Sequence, residues 1–116
     1  MQAYKIVYIN QKGDKFSLLT TDPEMMVEYL PQEWVAPRAG YGPLLCFDSL
    51  ENAKKFFGEV FDDRFKRWEI WECEIVKSED KEVWNKERYE LLRTLPRGTI
   101  LADKVKLTRR VLLAGL

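Results

Sequence analysis

Glu72 and Glu74 stand two residues apart in residues 68–76, a run of alternating side-chain types. On an extended strand both carboxylates point to one face, about 7 Å apart between Cα atoms. Close like charges raise one carboxylate's pKa into the range of a general acid. The plainer expectation is that they line the wet part of a sheet face and pair with Lys or Arg on the next strand.

A second group falls in residues 31–43, where Trp34, Arg38 and Tyr41 lie among Pro31, Pro37, Pro43, Gly40 and Gly42. Connections of this length inside a small domain are uncommon and often functional. An exposed Trp and Tyr beside an Arg can stack a base or sugar and hold a phosphate. The alternative is that Trp34 folds back to cap the core. A third group is basic: Lys104, Lys106, Arg109 and Arg110, with Asp103 nearby. It reads as a phosphate-binding stripe or as an edge strand whose lysines block aggregation.

Histidine is absent. That removes the commonest general base and metal ligand, and with them the Ser-His and Cys-His nucleophile pairs. No phosphate-binding loop, dinucleotide fingerprint or nucleophile elbow is present. Cys46 and Cys73 both sit in apolar runs and read as buried free thiols. Two cysteines without histidine cannot complete a four-ligand zinc site, so no metal and no cofactor is expected.

The chain has 116 residues, with 46% apolar and 33% charged side chains. This is the balance of one globular domain, residues 1–116, whose Phe, Tyr and Trp fill a core without disulfide or metal. Nineteen basic residues match nineteen acidic ones. A dedicated nucleic-acid binder usually carries a basic excess, so any such affinity is expected to be weak. The N-terminus lacks a signal-peptide pattern and no apolar run approaches the ~20 residues of a membrane span. The expected setting is the cytoplasm, without a membrane partner.

These groups need elements to position them. Residues 4–9 and 15–20 form a predicted hairpin around Asn10-Gln11-Lys12-Gly13-Asp14. Residues 27–30 suit a short strand and residues 44–47 a central one. Asp48 or Ser49 offers a helix cap, with Glu51 three residues after Asp48 to close a capping box. Leu50, Ala53, Phe57, Val60 and Phe61 follow at helical spacing, which predicts a helix over 49–60.

In residues 68–76, Trp71, Cys73 and Ile75 share one face; Trp68, Ile70 and Val76 share the other with both glutamates. A strand apolar on both sides is central, or covered by a helix or a second subunit. The charged stretch 80–93 reads as a second helix. Val105, Leu107, Arg109 and Val111 alternate with Lys104, Lys106, Thr108 and Arg110, a strand with one buried face.

Glu33-Trp34-Val35-Ala36-Pro37, the 44–47 run followed by Asp48-Ser49-Leu50-Glu51-Asn52-Ala53, Ile70-Trp71-Glu72-Cys73-Glu74-Ile75 and the closing Pro96-Arg97-Gly98-Thr99 carry a resemblance. In layout the chain resembles a group of uncharacterised small prokaryotic and phage-borne proteins of unknown function. The resemblance implies a layout only, with no catalytic residue to carry over. A looser likeness is to ADP-ribosyltransferase-like folds, whose His-Tyr-Glu or Arg-Ser-Glu sets this chain lacks.

The expected fold is α+β: a mostly antiparallel sheet of five to six strands, a helix at about 49–60 and a second at about 80–93. The expected function is a non-enzymatic binding or interaction module for a protein or small ligand. Trp34, Arg38, Tyr41, Glu72 and Glu74 are its candidate contacts. A nucleotide- or nucleic-acid-related enzyme or binder using the same residues is the second reading, and a homo-oligomeric accessory protein the third.

Overall fold

The computed structural model describes residues 1–17, 26–38, 42–60, 68–80, 82–84, 89–91 and 95–112. β1 (Gln2–Ile9) turns through Asn10–Asp14 into β2 (Lys15–Ser17). Asn10 Oδ1 accepts the Lys12 and Asp14 amides at 2.9 Å, and Gly13 takes the positive φ the turn requires. β3 (Glu28–Tyr29) pairs with β2, and β4 (Trp34–Val35) lies at the opposite edge of the sheet. β5 (Leu44–Phe47) leads into α1 (Leu50–Val60). β6 (Trp68–Lys77), β7 (Glu82–Trp84), β8 (Tyr89–Leu91) and β9 (Thr99–Val111) follow.

Every described pairing is antiparallel. β1 pairs with both β5 and β6, and β9 pairs with both as well, so β1, β5, β9 and β6 close a four-stranded barrel within a seven-stranded sheet. Closure brings the two-period alternation of each strand to a common interior. Ala3 and Val7 of β1, Leu44 and Cys46 of β5, Cys73 and Ile75 of β6, and Val105 and Leu107 of β9 meet there. The other face of β1, β5 and β6 presents Ile6, Phe47 and Ile70, and α1 covers them with Leu50, Ala53 and Phe56. The Phe47 and Phe56 rings pack at 5.4 Å.

β6 is therefore apolar on both faces because the barrel interior takes one and α1 takes the other. Ile70 and Trp68 are covered in this way within the chain, whereas Val76 stays 46% exposed. Among the described residues no helix is long and apolar enough to cross a membrane.

The fold corrects four expectations. It is predominantly β with one short helix, rather than α+β with five or six strands. The predicted helix at 80–93 is instead the two-stranded β7–β8 pair, with Val83 opposite Glu90. Val83, Trp84 and Tyr89 are strand formers, and their propensity wins over a loose helical spacing of apolar residues.

The alternation in β9 is interrupted. Cys73 faces Leu107 while Glu72 faces Arg109, so Thr108 is an extra residue at a bulge. Val105 and Leu107 point into the barrel, whereas Arg109 and Val111 move to the outer face. Finally, the expected Glu51 capping box is not formed, while Ser49, one of the two expected caps, is the cap used, its Oγ accepting the Asn52 amide at 3.1 Å. Asn52, not Glu51, occupies the third helical position and reaches back to Asp48 Oδ1 at 2.7 Å.

Candidate functional site

On the outer face, β4, β9, β6 and β1 run side by side. Their registers place Trp34 opposite Lys106, Lys106 opposite Glu74, and Glu74 opposite Gln2, one continuous row across four strands. The next row holds Arg109, Glu72 and Tyr4, and the row after it, Val111, Ile70 and Ile6, belongs to the cluster beneath α1. On the other side of the Trp34 row, Val76 lies opposite Lys104 and is 46% exposed. The helix thus leaves a strip of the barrel wall open, and Trp34 stands at its end, 49% exposed.

Trp34 is held there by an unusual turn. Gln32 adopts φ = 67°, a left-handed conformation uncommon outside glycine. It is pinned from both sides: its amide donates to Leu107 O at 2.9 Å, and its side chain donates to Thr108 O at 2.7 Å. Glu33 N closes the turn onto Leu30 O at 3.1 Å. The strained residue is the hinge that lays β4 against β9, so the indole projects from a fixed backbone. Lys106 Nζ lies 5.0 Å from the indole centroid, a cation on one ring face.

The two candidate carboxylates do not act as a pair. Glu72 Oε1 accepts Arg109 at 2.7 Å, and the Thr108 hydroxyl donates to the Glu72 carbonyl. Glu74 Oε2 lies 3.4 Å from the Met1 amino group. Glu72 thus pairs with an arginine on the next strand, as the plainer expectation has it, whereas the cation at Glu74 is the Met1 amino group. The basic stripe is similarly divided: Arg109 goes to Glu72, and Arg110 to Glu69 at 3.3 Å.

Arg38 does not join the strip. It lines a cleft of about 500 Å³ with Phe16, Met26, Val27 and Glu28, on the β2–β3 side. Tyr41 lies outside the described residues. Trp34, Glu72 and Glu74 are thus brought onto one face, and Arg38 is placed elsewhere.

The barrel interior holds a group the sequence reading missed. Lys5 is 2% exposed and points inward, where its amino group donates to Leu45 O and lies 5.5 Å from the Tyr29 ring centroid. Among the described residues no carboxylate pairs with it. Cys46 and Cys73, free and fully buried, share one buried cluster, and the β1–β5 register sets Cys46 beside Lys5.

Burial holds the Lys5 pKa below its usual value, partly opposed by the two sulfurs. The mutual influence of the two thiols holds Cys46 below the ordinary thiol value and pushes Cys73 above it, with burial adding to the rise of Cys73. Burial also raises Tyr29, whose hydroxyl has no hydrogen-bond partner among the described residues. The signal for Lys5 was present in Ala3-Tyr4-Lys5-Ile6-Val7: its neighbours at both strand phases are apolar, so neither face is solvated.

Among the described residues no three His, Cys, Asp or Glu side chains converge as a metal cluster. No family model, no curated protein and no solved structure matches the chain.

Proposed function

We propose that the chain is a non-enzymatic binding module that docks a protein partner on the strip formed by Trp34, Lys106 and Glu74, with the Glu72–Arg109 pair at its side. The observation that carries this reading is Trp34: a large aromatic, half exposed on a backbone pinned through Gln32, outside the cover of α1. Aromatic anchors of this kind dominate binding energy at protein surfaces, and paired charges around them supply a polar rim.

Trp34 lines neither of the described clefts, the one against Arg38 and the one against the 10–13 turn. Arg109 and Arg110 are tied to Glu72 and Glu69, which withdraws two of the four basic residues of the stripe from phosphate.

A photo-crosslinking aromatic residue placed at position 34, and separately at Glu51 on α1, tests the reading in the producing cells. A discrete protein adduct at 34 that is absent at 51 supports it. Equal adducts at both positions, or an adduct removed by nuclease, overturns it.

A further inference from the structure

We propose that Cys46 and Cys73, with Lys5 beside them, form a two-coordinate site for a soft monovalent cation such as Cu(I) inside the barrel. The two thiols stand on β5 and β6, the strands that flank β1 on either side. Cys73 lies opposite Ala3, and Tyr4 opposite Phe47 sets Cys46 next to Lys5. Ala3, a small residue, lies between them on β1, and all three side chains belong to one buried cluster.

β5 and β6 are not direct neighbours: β1 lies between them, with Cys46 at the level of Lys5 and Cys73 at that of Ala3. An ion that takes one sulfur from each strand bridges them without a direct S–S bond.

The ligand set selects the ion. Thiolates are soft donors, and Cu(I) is a soft ion that they favour. The zinc argument from the sequence does not reach this case, because two sulfurs suffice for an ion that accepts linear coordination. No third or fourth ligand converges here among the described residues.

Charge points the same way. Two thiolates and one monovalent cation leave one negative charge in an apolar interior, which is costly unless balanced. Lys5 in its ammonium form is the buried cation that balances it. The Tyr29 hydroxyl, fully buried in the same cluster and without a hydrogen-bond partner among the described residues, is a donor available to a thiolate. An amine without a carboxylate and a hydroxyl without an acceptor are explained together by an anionic centre between them. On binding, two S–H bonds break, two S–metal bonds form and two protons leave to solvent. No electron is transferred.

The test is anaerobic titration of the whole chain with Cu(I), equilibrated overnight against the chelator bicinchoninate, with circular dichroism on the same samples. One ion per chain is expected, with the fold retained. Uptake should be lost in Cys46→Val and in Cys73→Val and weakened at least tenfold in Lys5→Met. Zn(II) added in equal amount should not displace the ion from the wild type, an arm that needs no variant to fold. The site is overturned by any one of four results: no uptake against the chelator, uptake only with loss of the fold, equal uptake in the valine variants, or an unchanged affinity in Lys5→Met.

Discussion

Trp34 and Lys106 are direct register partners on β4 and β9, and the lysine amino group lies over the indole at 5.0 Å. The pair is exposed, so it adds only about 0.5–1 kcal/mol to the fold. Trp34→Ala should therefore leave the denaturation midpoint nearly unchanged, a loss below about 1 kcal/mol, while removing the position-34 crosslink partner from the surface. Chemical denaturation checks the first half and co-purification with that partner the second. A loss of several kcal/mol would make Trp34 a core residue and remove its claim to a contact surface.

Gln32 offers a complementary test. Its positive φ is sustained by two hydrogen bonds to β9. Gln32→Gly relieves the backbone strain but loses the side-chain bond to Thr108 O, and the two effects, each about 1 kcal/mol, oppose each other. Gln32→Ala loses the bond and keeps the strain. Alanine should thus be the more destabilising substitution by about 1 kcal/mol, read from denaturant midpoints. The reverse order would mean that the strain is not carried at this residue.

The helix start shows how far local sequence reaches. Aspartate or serine before an apolar 3.6 repeat announced the helix within one residue of Leu50. The choice between Asp48 and Ser49 was open, because each is a good cap and only the three-dimensional path selects one. With Ser49 Oγ on the Asn52 amide, Ser49→Ala should cost about 1 kcal/mol. Glu51→Gln should change stability by only a few tenths, since Glu51 contributes through the helix dipole alone. Thermal melts of the two variants distinguish the caps.

Strands announced by dense β-branched and aromatic residues, β1, β5 and β6, were legible for the same reason as α1: the signal is local. The missed features are non-local. The Thr108 bulge moves Arg109 off the face of Leu107 and onto Glu72, and no alternation pattern records an inserted residue. The closure of β1 onto both β5 and β6 is what buries Lys5, and closure is a pairing between segments tens of residues apart. Trp34 reads as a loop residue in the sequence because two-residue edge strands carry no period. Gln32 has no distinguishing residue type at all.

Lys5 gives a pH dependence with a definite sign. Its folded pKa lies below the ordinary lysine value of 10.5 because burial disfavours the ammonium. Between the two values the unfolded chain binds more protons than the folded one, so stability rises with pH through that window. Falling from pH 10.5, the wild type loses stability until the folded pKa is passed, and Lys5→Met does not. Methionine should be more stable by about 1–3 kcal/mol at pH 7, less the donor lost to Leu45 O, and the gap should narrow towards pH 10. Urea denaturation at pH 7, 8.5 and 10 measures it. A gap that widens with pH contradicts the buried amine.

Gly98 joins the helix cap to β9. Its φ is 82°, and its carbonyl accepts the Asp48 amide at 2.8 Å. A Cβ at this position would meet the Asn52 side chain, with Cβ and Cγ each at 2.7 Å. Two costs therefore attach to Gly98→Ala: about 1–2 kcal/mol for an L-residue in the left-handed region, and a clash that displaces Asn52 from Asp48 Oδ1. The total should be about 2–3 kcal/mol. A double-mutant cycle separates the two. In an Asn52→Gly background the clash with Asn52 Cβ, Cγ and Nδ2 is gone, so Gly98→Ala should cost only about 1–2 kcal/mol there. If the substitution costs the same with and without Asn52, the steric half of the account is wrong, and only the backbone conformation explains why glycine stands at 98.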